Sequence, residues 1–204
     1  MFDQFVKKYD EWFLKNRLVY LSELRAVKSI LPKGRGIEIG VGTGRFAVPL
    51  GIKIGVEPSK KMAEVARKRG IFVLKGTAEK LPLKDESFDF AIMVTTICFV
   101  DNPRKALEEV HRVVKREGYV IVGIVDRESF LGKEYEANKE KSVFYRNARF
   151  FSTENLLDLL RTTGFGNFKI VQTLFKHPTE VLVVEPVKDG YGKGAFVVIR
   201  AEKI

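Results

Sequence analysis

Short, mainly apolar runs alternate along the chain with segments whose apolar positions recur at helical spacing. Runs of strand length lie at 36–40, 51–57, 71–74, 88–95, 119–125, 168–175 and 195–201, and 181–187 is a possible additional strand. Helical spacing, or a capping residue, predicts helices that begin after Gly44, Ser59, Asn102 and Ser152. The fourth run is almost entirely apolar, as expected of a strand that is covered on both faces. This alternation predicts an α/β fold with a mostly parallel sheet.

The first part of the chain predicts a helical cap. Apolar side chains recur at helical spacing within residues 2–31 and indicate two amphipathic helices. We expect this cap, residues 1–34, to pack on the edge of the sheet. The alternative is that it covers the bound ligands with one of three aromatic side chains, namely Tyr9, Trp12 or Tyr20.

Length and composition predict one cytoplasmic domain over residues 1–204. Hydrophobic residues make up 45% and charged residues 30% of the chain, as in globular proteins. No apolar run reaches the roughly 18 to 20 residues of a membrane span, and the first residues lack the apolar core of a signal peptide. Cys98 is the single cysteine, which excludes an internal disulfide and fits a reducing compartment.

The net charge of +10 raises the question of a nucleic-acid partner. The basic residues are spread along the chain, and their densest run, Lys60-Lys61 with 67–69, falls on one predicted helix. Such a run is typical of a solvated helix face. A nucleic-acid partner is therefore open but not favoured.

Three glycines follow the first predicted strand and define the candidate ligand site. Gly40, Gly42 and Gly44 alternate through a turn, and Glu38 lies two residues before the first of them. Glycine permits sharp turns and a close approach of the backbone to a ligand. Dinucleotide-binding proteins space these glycines as Gly-x-Gly-x-x-Gly, but position 45 of this chain is Arg45.

The spacing Gly-x-Gly-x-Gly after Glu38 resembles motif I of the class I S-adenosylmethionine (SAM) dependent methyltransferases. A second passage, residues 76–90, is similar to the Gly-Asp-Ala-Glu-x-Leu-Pro-Phe-x-Asp-x-Ser-Phe-Asp signature of small-molecule methyltransferases, including the ubiquinone/menaquinone-biosynthesis type. The resemblance covers roughly residues 33–125. Two departures are Thr77, where the family has Asp, and 115–118, where the family has a Lys-Pro-Gly-Gly turn.

The resemblance implies a fold, a cofactor and a reaction. The expected fold is a Rossmann-like three-layer sandwich whose mostly parallel, seven-stranded sheet ends in an antiparallel hairpin. The cofactor is S-adenosyl-L-methionine, and its methyl group passes to an acceptor. Relatives bind the adenine amino group at the position of Thr77, with Glu79 as the alternative here, and the next backbone amide, at Ala78, meets a ring nitrogen.

The acid at the end of the second strand, Glu57, is predicted to accept hydrogen bonds from the ribose hydroxyls. Its alternative role is a surface acid at the start of a helix. Met62, one turn into that helix, is predicted to pack on adenine or in the core. The complete set of predicted cofactor-binding residues is Glu38, Gly40, Val41, Gly42, Gly44, Glu57, Pro58, Met62, Thr77, Ala78, Glu79 and Thr95.

The acceptor side is predicted less sharply. Aromatic residues interleave with charged ones in the insertion 127–151, which we expect to shape an acceptor pocket; the alternative is an ordinary surface helix with one apolar face. Cys98 lacks the preceding Pro of cytosine C5 methyltransferases and is interpreted as a buried or pocket-lining thiol. No catalytic triad and no metal-ligand spacing is found, so no catalytic residue is assigned.

Three functions remain open at this point. The favoured one is methyl transfer to a small-molecule acceptor. An RNA or protein methyltransferase would use the diffuse basic surface instead. A non-catalytic SAM-binding protein would hold the cofactor without turning over an acceptor. The sequence leaves the acceptor and the oligomeric state open.

Overall fold

The computed structural model describes residues 2–204, so residue 1 of the predicted cap lies outside it. Within residues 2–204 the α-helices are α1 (Val6–Lys15), α2 (Arg17–Ser29), α3 (Lys60–Lys68), α4 (Pro103–Val113), α5 (Phe130–Asn138) and α6 (Thr153–Arg161). Eight strands are β1 (Gly36–Ile39), β2 (Ile54–Val56), β3 (Phe72–Leu74), β4 (Phe88–Val94), β5 (Val114–Val125), β6 (Phe165–Thr173), β7 (Lys188–Asp189) and β8 (Phe196–Lys203). Short 3₁₀ turns lie at Phe2–Gln4, Ile97–Phe99, Lys139–Lys141 and Pro178–Glu180.

The strands form one mixed sheet in the order β3-β2-β1-β4-β5-β8-β6-β7. The first five are mutually parallel, whereas β8 pairs antiparallel with β5 and β6, and β7 pairs antiparallel with β6. The predicted Rossmann-like fold with an antiparallel C-terminal hairpin is confirmed. The sheet has eight strands rather than seven because two residues after the connection 181–187 pair with the edge of β6.

The core consists of two layers, one on each face of the sheet, as the apolar fourth strand predicted. Alternate side chains of β4 point to opposite faces: Phe90, Ile92 and Val94 pack in the layer with α2 and α3, while Ala91 and Met93 pack in the layer with α4 and α6. All five are at most 5% exposed. Burial of both faces fixes β1 and β4 in the centre, so their carboxyl ends are held rigidly.

Predicted helix starts agree with the structure at three of four places. Side chains of Ser59, Asn102 and Ser152 accept hydrogen bonds from backbone amides three residues later and cap α3, α4 and α6. The helix predicted after Gly44 is wrong, since residues 45–51 form turns. Backbone bonds join Val48 to Gly44 and Leu50 to Phe46, but the intervening Pro49 has no N–H and interrupts the helical ladder.

Two further predictions need correction. The segment 181–187, interpreted as an additional strand, contains no strand, and the short β7 follows it. The fifth strand begins at Val114 and includes the predicted turn 115–118, where the pairing with β4 shifts register between Phe88 and Phe90. Glu117 takes a positive φ of 58° at this irregularity.

No helix within residues 2–204 is long and apolar enough to cross a membrane.

One ionic network fastens the cap to the rest of the fold. Asp10 of α1 accepts hydrogen bonds from Thr43 Oγ1 at 2.8 Å and from Arg45 Nη2 at 2.6 Å, and it pairs with Arg69. Burial acts to raise the pKa of Asp10, but the bonds from Arg69, Arg45 and Thr43 together lower it. The network therefore fixes α1 over the loop that follows β1.

We predict that Asp10→Ala loosens the cap without unfolding the sheet. Its removal leaves two guanidinium groups without their shared carboxylate, so amides of α1 should exchange with solvent at least about tenfold faster. Asp158→Ala is the matched control, because Asp158 pairs with Arg161 on the exposed face of α6. Hydrogen exchange read by mass spectrometry measures both; equal protection of α1 in the two variants would contradict the role of Asp10.

Candidate active site

A cavity of about 390 Å³ opens at the carboxyl ends of β1, β2 and β4. The cap covers it from one side and the segment 127–151 from another. Predicted site residues line it at nine positions: Gly40, Gly42, Glu57, Pro58, Met62, Thr77, Ala78, Glu79 and Thr95. Ligands of open α/β sheets bind at this end of the strands.

The turn of residues 40–44, here called the glycine turn, follows β1 and has a left-handed backbone. Gly40 and Gly42 have φ values of 71° and 54°. A Cβ atom on Gly40 would lie 2.4 Å from Thr96, and one on Gly42 would lie 3.3 Å from the Tyr9 hydroxyl oxygen. Because no side chain intervenes, a ligand in the cavity can approach the backbone here.

Glu57 connects the glycine turn to the start of α3. Its Oε2 accepts from the Gly42 amide at 2.8 Å, and its Oε1 accepts from the Ser59 amide at 2.9 Å. Burial raises the pKa of Glu57, while the Ser59 and Gly42 amides act in the opposite direction. Each carboxylate oxygen retains a second lone pair, so Glu57 can both hold the two loops together and accept hydrogen bonds from a ligand.

Three predicted site residues do not line the cavity but lie behind it. Val41 is 3% exposed, and a Cβ on Gly55 would lie 2.6 Å from it. Gly44 has a φ of 84° and faces Ile71 at the back of the turn. Glu38 is 2% exposed, and its Oε2 has no hydrogen-bond partner among the described residues.

Burial raises the pKa of Glu38 well above its ordinary value; the Ala47 amide opposes this and the charge of Glu57 adds to it. Glu38 is therefore a candidate to act on a ligand through the turn rather than by lining the cavity. Its role, with those of Val41 and Gly44, stays a prediction.

The loop after β3 places Thr77, Ala78 and Glu79 on the cavity wall. Glu79 is held by the chain itself, because its Oε1 accepts from the amides of Asp101 and Asn102 at 2.8 and 3.3 Å, just before α4. Thr77 is exposed, and its hydroxyl makes no hydrogen bond within residues 2–204. Thr77 is thus the freer of the two predicted partners of an adenine amino group.

The other end of the cavity is a cluster of rings that we call the aromatic chamber. Its members are Tyr9, Trp12, Phe99, Tyr135, Phe144 and Tyr145. Tyr135 and Tyr145 stack with centroids 4.9 Å apart, and Phe99 stacks on Tyr145 at 6.1 Å. Phe99 comes from the turn after β4, and the other rings come from the cap and from the segment 127–151. Both segments therefore line the cavity. This is the position expected of a cap that covers bound ligands and of an insertion that shapes an acceptor pocket.

Several cavity residues were not predicted from the sequence, and Glu23 on α2 is the most distinctive of them. It lines the cavity and is only 6% exposed. A signal was present, since Glu23 lies on the apolar stripe of α2, four residues from both Val19 and Val27. Thr96, Val100, Asp101 and Val125 also line the cavity without having been predicted.

Cys98 is buried in the turn after β4, and its Sγ lies 3.5 Å from the Thr95 carbonyl oxygen. Burial raises the pKa of its thiol to about 12. A thiol this far from ionisation is a poor nucleophile, in agreement with its interpretation as a buried group.

The sheet order, the glycine turn and the acid at the end of β2 together define a Rossmann-like methyltransferase fold. A family model described as a methyltransferase domain matches residues 37–122. The chain is 73% identical in sequence to a protein of known crystal structure from Thermotoga maritima, described as a SAM-dependent methyltransferase, possible histamine N-methyltransferase. The two structures match over 100% of this chain and 98% of that chain, with a TM-score of 0.99.

Two curated relatives extend this picture. An uncharacterized protein of Methanocaldococcus jannaschii is 53% identical over 204 residues, which is 100% of this chain and 99% of that protein. Demethylmenaquinone methyltransferase of Thermotoga maritima is 32% identical over 138 residues, which is 60% of this chain and 58% of that protein. The chain belongs to the SAM-dependent methyltransferases. Its cofactor is S-adenosyl-L-methionine.

We predict that Gly42→Ala weakens SAM binding at least about tenfold, because its methyl group enters the cavity beside Tyr9. Gly51→Ala is the matched control. Gly51 also has a left-handed backbone, with φ 73°, but a Cβ there meets no atom within 4 Å. Both variants should lose roughly 1–2 kcal/mol of stability to backbone strain. Titration calorimetry and thermal melts measure the two effects, and equal SAM affinity in both variants would exclude the glycine turn from the site.

We predict that Glu57→Gln lowers both SAM affinity and stability, because Glu57 serves ligand and loop together. An amide can accept at one end only, so one of the Gly42 and Ser59 amides loses its bond. The lost charge should weaken SAM binding by about one order of magnitude, or roughly 1.4 kcal/mol.

The control is Glu64→Gln, the same substitution at an exposed position of α3. It should change neither quantity. Calorimetry with SAM and a thermal melt on each variant give the answer, and full SAM affinity in Glu57→Gln would remove this carboxylate from the ribose site.

Proposed function

We propose that the protein transfers the methyl group of SAM to a small-molecule acceptor that binds in the aromatic chamber. One observation carries this proposal. The cavity runs without interruption from the glycine turn and Glu57 to the aromatic chamber, and the cap and the segment 127–151 cover it. A covered chamber lined by rings is typical of small-ligand sites.

The residues at the first end of the cavity fit the cofactor. Glu57 offers a buried carboxylate for the ribose hydroxyls, and the glycine turn offers bare backbone for the methionine part. Thr77 and Ala78 offer a hydroxyl and a backbone amide for adenine, and Met62, 1% exposed, offers an apolar surface. When bound, SAM supplies a methyl group on a positively charged sulfur, whose C–S bond breaks with its electron pair remaining on sulfur.

The protein's own contribution is to position the acceptor and exclude water. Tyr9, Phe99 and Tyr145 come from different parts of the chain and close the chamber around one volume. Burial keeps Cys98 protonated, so no covalent intermediate is expected on this thiol. This division of labour suits a cofactor that carries its own leaving group.

Two further observations support a small acceptor in the cytoplasm. The Thermotoga maritima structure, 73% identical, is described as a possible histamine N-methyltransferase, whose acceptor is a small amine. The single cysteine fits a reducing compartment. By contrast, none of the described residues that line the cavity is Lys, Arg or His.

The proposal is tested by following a radiolabelled methyl group from SAM into three acceptor classes. These are a panel of small amines, thiols and phenols, total RNA, and a protein extract. We expect label in at least one small molecule, and we expect Gly42→Ala to reduce that transfer at least about tenfold while Gly51→Ala retains it. Label confined to RNA or protein would overturn the small-molecule proposal, and SAM binding without any transfer would favour a non-catalytic binding protein.

A further inference from the structure

Glu23 differs from the other buried carboxylates of the protein. Glu57, Asp126 and Glu185 each accept hydrogen bonds from backbone amides, and Glu38 accepts one from the Ala47 amide although its Oε2 has no partner among the described residues. Glu23 makes no hydrogen bond and no ion pair within residues 2–204, although it is only 6% exposed. Its small exposed surface faces the cavity, of which it forms part of the wall. A buried carboxylate without a partner is costly, so its presence in a ligand cavity points to a ligand.

The surroundings of Glu23 include rings of the aromatic chamber, which line the same cavity. Its charge adds to the effect of burial in raising the pKa of Tyr135 and of Tyr145. Burial, and after it the charges of Glu38, Glu57, Asp10 and Glu23, raise the pKa of Tyr9, which lines the cavity together with Glu23 and Glu57. Glu23 is thus placed toward the segment 127–151, where the proposed acceptor binds.

The charges of the cavity select a positively charged or proton-donating ligand. The acids Glu23, Glu57, Glu79 and Asp101 line it, and among the described lining residues there is no Lys, Arg or His to balance them. Glu57 and Glu79 are already held by backbone amides. Rings of Tyr and Trp attract cations through their faces, so Glu23 and the chamber together suit an ammonium group.

We propose that Glu23 is the acceptor-binding carboxylate, that the acceptor is a small amine, and that Glu23 takes the proton which frees the nitrogen for methylation. This inference rests on the proposed function. An ammonium group entering the chamber pairs with the Glu23 carboxylate. The N–H bond then breaks, its electron pair stays on nitrogen, and the proton forms an O–H bond on the carboxyl group. The neutral amine holds the lone pair that accepts the methyl group.

The protonation state of Glu23 fits this role. Burial is the one cause that acts on it and raises its pKa to about 8. The groups whose pKa values Glu23 itself raises are the phenols of Tyr9, Tyr20, Tyr135 and Tyr145. The pKa of this carboxyl group is closer to the pKa of an amine than that of an ordinary glutamate is. Proton transfer from the ammonium group to Glu23 therefore costs less free energy.

The binding test uses protein saturated with S-adenosylhomocysteine, titrated with three amines and their alcohol counterparts. The pairs are histamine with imidazole-4-ethanol, 2-phenylethylamine with 2-phenylethanol, and butylamine with 1-butanol. At pH 8.5 at least one amine should bind at least about tenfold more tightly than its alcohol. Its affinity should fall as the pH drops from 8.5 to 6, because Glu23 becomes protonated.

Glu23→Gln should abolish the preference for the amine over the alcohol and its pH dependence, while S-adenosylhomocysteine affinity stays within about twofold. Glu64→Gln should behave as the unmodified protein. Retention of the amine preference in Glu23→Gln overturns the proposal, and so does failure of every amine to bind while S-adenosylhomocysteine binds. Loss of S-adenosylhomocysteine affinity in Glu23→Gln would instead assign this carboxylate to the cofactor. Failure of the unmodified protein to bind S-adenosylhomocysteine overturns the proposed function itself.

A stability measurement tests Glu23 without any acceptor. The folded protein holds the Glu23 proton up to a pH of about 8, whereas the unfolded chain releases it near its ordinary value of about 4.3. In that window the unfolded state binds fewer protons, so the contribution of Glu23 to stability falls as the pH rises. Glu23→Gln removes this loss. The melting temperature of the variant minus that of the unmodified protein should therefore rise by at least ~2 °C from pH 5 to pH 8.5. A difference that does not change with pH would contradict a buried, unpartnered carboxylate.

Discussion

The two hydrogen bonds that Glu57 accepts hold the active site together. One is donated by Gly42 in the glycine turn after β1, and the other by Ser59, directly before α3. A single carboxylate therefore fixes the loops that follow two neighbouring parallel strands. The bonds to Gly42 and Ser59 stabilise the carboxylate form against its burial. The acid is therefore oriented before a ligand arrives, and such preorganisation reduces the cost of binding.

The cap completes this arrangement. Asp10 joins α1 to Thr43 within the glycine turn and to Arg69 just beyond α3, and Tyr9, its neighbour in sequence, faces Gly42. The element that covers the cavity is thus fastened to the glycine turn, which Glu57 also holds. Several buried acids lie around the cavity. Glu23 has no partner there among the described residues, so it lowers the stability of the protein but remains available for a ligand contact.

Local sequence rules predicted the parts of the site that depend on local structure. The glycine turn and Glu57 were found because a strand–turn–helix unit needs particular residues at fixed positions. The same rules failed where one residue outweighed a pattern: Pro49 prevents the helix predicted after Gly44. The two-residue β7 could not be found, because its pairing with β6 depends on a distant edge rather than on its own composition.

Glu23 shows a different limit of sequence reasoning. A glutamate on an amphipathic helix is normally exposed, and only the packing of α2 against the sheet and the segment 127–151 reveals that this one is buried in a cavity. Its position on the apolar stripe of α2 was a signal, but its meaning depends on rings that lie more than 100 residues away in the chain. Contacts between distant segments decide acceptor sites, and single-segment patterns do not contain them.

The most direct test of this account is a crystal structure of the protein with S-adenosylhomocysteine bound. We predict that both ribose hydroxyls lie within hydrogen-bond distance of the Glu57 carboxylate, with the backbone of the glycine turn against the homocysteine part and the sulfur facing the aromatic chamber that contains Glu23. A ligand bound outside this cavity, or one whose ribose does not contact Glu57, would contradict the account.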